Sequence, residues 1–499
     1  MTAEERPAVS VELVLVSHTN SGKTTLARTL LGRDIGIVRD APHVTELAEP
    51  YLLLESASGD RLMLWDTPGF GDSARLVRRL RQADNPIGWL LREVWDRHRD
   101  RPFWCSQQAV RAARASSDVI LYLVNAAEPP RDAGYVEAEV QVLAWIDKPV
   151  LVLLNQLGPP RPRAEEAREE DLWRSHLMGR GLTCDVLTLD AFARCWVQEG
   201  TLLRAVAARL PAAKAAAFER LRARWLDRNI ERFDACMRTL AEQVAAAAHD
   251  GETIDEPAGS VGSRVLVTLG LRRDEGAKSR AMASLADRLD ANVKAATDRM
   301  ISLHGLDGGA TAAVMKRVQD VYALQEPIPE GRAALFGGVL TGALTGLKAD
   351  LATGGLSMGA GLLVGAVLGG LGGAGIARGI NRIAGTERAR LNWPDDFLDG
   401  LVRASVLRYL AVAHYGRGRG RFIEGEAPPF WHDEVQAELA RRLDALHELW
   451  SNARTAGHVN ATVPGLYREL REATVAVLNR LYPQAVPAEL EGATPKNPA

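Results

Sequence analysis

Six short apolar runs punctuate the first two hundred residues: VELVLVS, YLLLES, RLMLWDT, DVILYLVN, PVLVLLN and CDVLTL. Each is rich in leucine or β-branched residues, and most close on Gly, Asn, Asp or Pro. Stretches with helical spacing lie between them. That alternation predicts an α/β domain, a mainly parallel sheet wrapped by helices. The second run passes into the third through Ala57-Ser58-Gly59-Asp60, a hairpin signal, so one strand is expected antiparallel.

The pattern changes at Pro211. Leu221, Trp225, Phe233, Met237, Leu240 and Val244 recur at helical spacing, as do Leu285, Leu289, Val293 and Met300. Val435, Leu439, Leu443, Leu446 and Trp450 repeat the pattern further on. These read as amphipathic helices packed on one another, an all-α C-terminal region. The expected divisions are an α/β domain over 1–210, helical regions over 211–332 and 378–482, a glycine-rich apolar segment over 333–377, and a loose tail over 483–499.

The chemistry sits after the first apolar run, at Ser17-His18-Thr19-Asn20-Ser21-Gly22-Lys23-Thr24-Thr25. A P-loop reads G-x-x-x-x-G-K-[ST], and only its first glycine is missing here, replaced by Ser17. Gly22 lets backbone N–H groups approach phosphates at a helix start, Lys23 adds a point charge, and Thr24 offers a hydroxyl to Mg²⁺. The third run ends in Asp66-Thr67-Pro68-Gly69, which places a carboxylate for the metal and a Gly69 N–H for the γ-phosphate. Thr45, in the loop DIGIVRDAPHVTE, stands where a second Mg²⁺ contact is expected. Together these motifs describe a nucleoside triphosphatase.

Residues 17–25, Thr45 and 66–69 resemble the P-loop GTPases of the bacterial Era and tRNA-modification class over roughly the first 200 residues. The resemblance implies GTP/GDP as nucleotide and Mg²⁺ as cofactor, with hydrolysis of GTP to GDP and phosphate. It assigns nucleotide contact to Ser17, Asn20, Ser21, Gly22, Lys23, Thr24, Thr25 and Asn155. It assigns Mg²⁺ to Thr24, Thr45 and Asp66, and catalysis to Lys23, Thr45 and Gly69. Asn20 falls on the asparagine that helps hold K⁺ in that class. Phe70 stands where Ras-like proteins carry a water-orienting glutamine, so the water is expected to be oriented by a cation, a partner or a G-domain dimer. The base motif N-K-x-D is altered: the chain reads Asn155-Gln156-Leu157-Gly158, with no carboxylate for guanine, so preference for GTP over ATP is expected to be modest. Asp185 and Asp190 are too distant in sequence to count as replacements, and residues 188–192 weakly match the class's second base loop. Residues 71–115 form an unusually long switch-II region, rich in arginine, with Trp89, Trp95 and Trp104. They read as a helical insertion anchored by tryptophans, or as a partner surface.

Residues 333–347 and 351–377 carry no charge and hold glycines at spacings of four: Gly338, Gly342, Gly346, then Gly361, Gly365, Gly369, Gly373. Glycine disfavours helices in water by about 1 kcal/mol each relative to alanine, whereas G-x-x-x-G brings helices together in bilayers. Two arms of about 30–36 Å, turning near Gly354-Gly355, match the hydrocarbon thickness. Arg332, Arg378, Arg382 and Arg388 flank the segment, and Lys348 and Asp350 lie near its middle. The expectation is a membrane-associated hairpin, at the cytoplasmic face of the inner membrane, with close packing inside a soluble helical domain as the alternative. The whole order resembles a family of bacterial GTPases with an uncharacterised conserved C-terminal domain. That resemblance implies a second membrane protein as a partner, while the apolar segment itself points to membrane lipid.

Composition narrows the rivals. The 61 basic and 63 acidic residues give a net charge of −2, so there is no global case for nucleic-acid binding. A ribosome- or RNA-associated Era-like factor is thus the alternative, as is a scaffold that binds nucleotide without turnover. The four cysteines are scattered with no C-x-x-C pair, and the opening MTAEERPAVS has no apolar core for a secretory signal, which fits a reduced compartment.

Overall fold

The computed structural model describes residues 7–33, 35, 47–92, 100–157, 161–189, 195–254, 275–306, 380–382, 389–415, 429–455 and 458–492. Thr45, Trp95, Gly158, Asp190 and the glycine-rich segment 333–377 lie outside the described residues. The chain divides into two compact units: Met1–Glu231 with Ala413–Pro428 and Leu478–Gly492, and Arg232–Val412 with Pro429–Val477 and Ala493–Ala499.

In the first unit the order is β1 (Ser10–Ser17), α1 (Lys23–Leu31), β2 (Glu49–Glu55), β3 (Arg61–Asp66), α2 (Ser73–Leu80), α3 (Pro86–Arg92), α4 (Arg101–Ala115), β4 (Val119–Asn125), α5 (Tyr135–Ile146), β5 (Val150–Asn155), α6 (Arg163–Met178), β6 (Asp185–Thr188) and α7 (Trp196–Ala207). Each of the six apolar runs holds one strand. The strands form one sheet ordered β2-β3-β1-β4-β5-β6. All pairings are parallel except β2 with β3, which turn through the predicted hairpin. The central strands β4 and β5 read as unbroken apolar runs because helices cover both faces, and every residue from Val119 to Val124 and from Val150 to Asn155 is buried. The edge strand β2 keeps only Leu54 buried. Among its described residues the long insertion forms three helices, and Phe103 of α4 receives the guanidinium groups of Arg75 and Arg79 from α2 at 4.6 and 5.3 Å.

The helix α8 (Ala212–His249) follows residues 208–211. Within the first unit, its Lys214 Nζ donates to Ser10 O and to Asp118 Oδ2, both at 2.7 Å. Arg220 Nε donates to Asp60 Oδ2 at 2.7 Å. Ser10, Asp60 and Asp118 all stand where strands begin, so α8 is tied to the edge of the sheet at which the parallel strands start.

The second unit holds β7 (Gly251–Ile254), α9 (Glu275–Leu303), β8 (Ile380–Arg382), β9 (Ala389–Asn392), α10 (Asp395–Ala413) as far as Val412, α11 (Pro429–Leu439), α12 (Leu443–Thr455) and α13 (Val463–Leu481) as far as Val477, and α14 (Ala488–Gly492) belongs to the first. The region is helical as expected, with one correction: β7, β9 and β8 pair into a three-stranded antiparallel sheet. GETI, INR and ARLN are too short to show an alternation, so the apolar pattern carried no strand signal. Arg288 of α9 supports β7, donating to Asp250 at 2.8 Å and also pairing Glu252 at 2.5 Å. The helical positions picked out by spacing are buried, except Leu443, which is 37% exposed. A turn at residues 440–442 separates α11 from α12 and breaks the period, so Leu439 and Leu443 belong to different helices. All four cysteines are buried and none forms a disulfide, and burial pushes the thiols of Cys184 and Cys236 up to about 11 and 12.

Candidate nucleotide site

The C-terminal ends of β1, β3 and β5 meet at one edge of the sheet. β1 delivers Ser17, and the loop that follows turns into α1 through two left-handed residues, Asn20 at φ 65 and Gly22 at φ 85. Gly22 precedes the first helical residue, and a β-carbon on it would fall 2.6 Å from Asn155 Nδ2. Only glycine meets both demands.

Lys23 is buried and donates from Nζ to Ser17 Oγ at 2.7 Å and to His18 O at 3.4 Å. Both acceptors are neutral. Burial lowers the ammonium to about 8, opposed by the charges of Asp66 and Glu139. The serine that replaces the first P-loop glycine therefore acts on the lysine directly, a contact the motif alone does not announce. Thr24 donates from Oγ1 to Asp66 Oδ2 at 2.6 Å. Asp66 ends β3 and is buried, and its Oδ1 has no hydrogen-bond partner among the described residues. Burial raises its carboxyl to about 6, against the opposing Thr24 hydrogen bond and Lys23 charge.

Gly69 crosses the loop so closely that a β-carbon there would lie 2.7 Å from Thr19 Cα and 3.1 Å from Lys23 Nζ. Phe70 continues the contact: its N–H donates to Ser17 O at 2.9 Å, and its carbonyl accepts from Thr19 N and Oγ1 at 3.2 and 2.7 Å. The Phe70 ring is fully buried in the core. It offers nothing to orient a water, in keeping with its side-chain chemistry.

From β5, Asn155 Nδ2 donates to Ser21 O at 2.8 Å, and Gln156, in the left-handed region at φ 62, donates from Nε2 to Asn20 O at 3.2 Å. The altered base motif thus keeps two donors on the phosphate loop, one from each amide. Ser21 Oγ donates to His18 O at 3.1 Å, and Thr25 is buried in α1. Asp185 is bound to Arg209 at 2.7 Å and begins β6, so it stands at the opposite edge from this site. Thr188, at the near end of β6, donates to Glu170 Oε1 through N and Oγ1 at 3.1 and 3.0 Å.

The structure therefore brings together Ser17, Asn20, Ser21, Gly22, Lys23, Thr24, Asp66, Gly69 and Asn155. The sequence reading passed over His18 and Glu139. His18 Nδ1 lies 2.8 Å from Glu139 Oε1, and its ring stacks on Tyr135 at 4.5 Å. Glu139 carried a signal: it falls among Val136, Val140 and Leu143 on the apolar stripe of α5.

A hard-oxygen pair suits Mg²⁺. Thr24 points its proton at Asp66 Oδ2, which leaves hydroxyl lone pairs for a cation, and Asp66 brings an orphaned buried lone pair. These residues fit the ion. The strand order, the left-handed turn into α1 and the buried lysine define the class: a P-loop nucleotide-binding domain of the GTPase type. Residues 12–156 match the family described as "50S ribosome-binding GTPase". The chain as a whole belongs to the family described as "Domain of unknown function (DUF3482)", whose profile matches residues 180–473, more than half of its length.

Two curated relatives are similar over the first part. "GTPase Der" of Mycolicibacterium vanbaalenii is 28% identical over 164 residues, 33% of this chain and 29% of that protein. "tRNA modification GTPase MnmE" of Chlamydia abortus is 26% identical over 203 residues, 40% of this chain and 36% of that protein. The chain thus spans about a third of the length of these relatives. A crystal structure of Aquifex aeolicus Era bound to GDP and aluminium fluoride has a TM-score of 0.29 and 18% identity, covering 41% of this chain and 57% of that one.

Proposed function

We propose that this chain is a nucleotide-operated switch that binds GTP with Mg²⁺ and hydrolyses it to GDP and phosphate. The observation that carries the reading is the junction of Lys23, Thr24 and Asp66, in which a buried carboxylate keeps one oxygen without a donor. Lys23 exchanges its two neutral acceptors for phosphate oxygens, which restores the full charge that burial opposes. Thr24 and Asp66 hold the metal, whose contribution when bound is to neutralise and orient the phosphates. Backbone N–H groups at the start of α1 meet the same anion. Asn155 and Gln156 keep the loop in register by gripping the Ser21 and Asn20 carbonyls.

A phosphate-release assay with GTP and ATP, run in K⁺ and in Na⁺, tests this reading. Turnover in the wild type that Lys23→Ala abolishes is the expected result. Turnover with K⁺ alone would give Asn20 its cation role, and equal rates on both nucleotides would trace to the lost carboxylate of the base motif. No binding of any triphosphate in magnesium buffer overturns the proposal.

Attachment to a membrane is the second half of the reading, and its support is the sequence of residues 333–377. Among the described residues no helix is long and apolar enough to cross a membrane. Membranes from expressing cells, washed in high salt and then in alkaline carbonate, are expected to retain the chain. Release by salt alone removes this half and leaves the nucleotide chemistry intact.

A further inference from the structure

A single buried carboxylate joins the phosphate loop to the segment that follows Asp66–Gly69. Glu139 of α5 is fully buried. Its Oε1 lies 2.8 Å from His18 Nδ1 and accepts from Ser73 Oγ at 2.7 Å, while its Oε2 accepts from Tyr122 OH at 2.8 Å. Facing a carboxylate, the His18 Nδ1 carries its proton and donates. Burial and the Glu139 charge push the Tyr122 phenol well above its ordinary value, so it stays a donor. Three donors therefore converge on one acceptor group, and two of them share one oxygen.

The positions of those two donors give the cluster its meaning. His18 lies inside the phosphate loop, one residue from the Ser17 that holds Lys23. Ser73 is the first residue of α2, capped by Asp72, whose carboxylate accepts from Arg75 N at 2.9 Å. The same two segments also meet through backbone, in the bridge between His18 and Phe70. A displacement of α2 that carries Ser73 away leaves Glu139 Oε1 with His18 alone, and a displacement of the loop does the converse.

We propose that Glu139 is a positioning residue that makes the phosphate loop and the start of α2 respond together, so that whatever engages α2 is felt at Lys23. This rests on the nucleotide-switch reading above. Tyr122 anchors the carboxylate from β4, the fixed floor of the device, while His18 and Ser73 are its two moving contacts.

A double-mutant cycle on GTP turnover tests it, with His18→Ala and Ser73→Ala alone and combined. Each single change is expected to lower kcat by about tenfold and leave KM within about twofold, because the phosphate contacts remain. Since both act through one oxygen, the double variant is expected to match the worse single one rather than the product of the two. Glu139→Gln, which retains an acceptor of the same shape, should recover part of the rate lost in Glu139→Leu. Multiplicative losses, or losses that follow the unfolding midpoint with kcat unchanged in the soluble Ser73→Ala protein, overturn the proposal. A wild type without turnover or triphosphate binding would instead sink the switch reading itself.

Discussion

Strand β3 has a buried aspartate just before its first residue and another at its last, and the two live in opposite circumstances. Asp60 accepts from Arg220 Nε, Ser56 Oγ, Ser58 Oγ and Val9 N at 2.7, 2.9, 2.9 and 3.2 Å. Its carboxyl is held well below the usual range, chiefly by the Arg220 guanidinium. Asp66 has the Thr24 hydroxyl, one oxygen without a partner, and a carboxyl raised to about 6 by burial. Equal shielding from solvent, then, does not mean equal role. One end of the strand is closed by the chain's own donors and holds α8. The other is left for something the chain does not contain.

The largest effect expected from this contrast is on turnover. Asp66→Asn should cut phosphate release by about 100-fold or more. Its urea midpoint should hold or rise, since a costly buried charge has gone. A fall in stability with turnover preserved would erase the distinction between the two ends. Asp60→Ala should behave in reverse. It strands at least three buried or half-buried donors, at about 1–3 kcal/mol of folding stability, with nucleotide affinity kept within about twofold.

Acid titration sharpens the comparison next. The folded chain keeps the Asp66 proton between about pH 4 and 6, where the unfolded chain has lost it, so this group's contribution is present at low pH and withdrawn as pH rises through 6. Asp60 contributes above about pH 4 and loses its contribution as pH falls further. In magnesium-free buffer, the advantage of Asp66→Asn over wild type should therefore grow between pH 4.5 and 6.5. The deficit of Asp60→Asn should shrink below pH 4. Parallel curves for all three proteins would contradict the assignment. The smallest effect concerns Ser17, which gives Lys23 an acceptor inside the loop. Ser17→Gly should tighten triphosphate binding by about two- to fivefold, read by titration of a fluorescent analogue.

What the sequence disclosed follows from these same residues. The six strands were legible because a sheet covered on both faces demands unbroken apolar runs, and the phosphate loop because glycine, lysine and threonine have fixed tasks at fixed spacing. The β7-β9-β8 sheet was not, since three or four residues cannot carry a period. Leu443 misled because spacing continued across a turn that the helix did not. The role of Ser17, the grip of Gln156 and the Glu139 cluster depend on contacts between segments distant in the chain. His18 and Glu139 are 121 positions apart, and no local pattern relates them.

The four buried thiols offer a built-in clock. Cys105 lies on α4, Cys184 ahead of β6, Cys195 at the start of α7 and Cys236 on α8, and all are shielded from solvent. An alkylating reagent meets each only when its own element opens. The order in which mass is added would thus rank the local openings along the molecule, with no residue substituted and with ligand-induced tightening visible site by site.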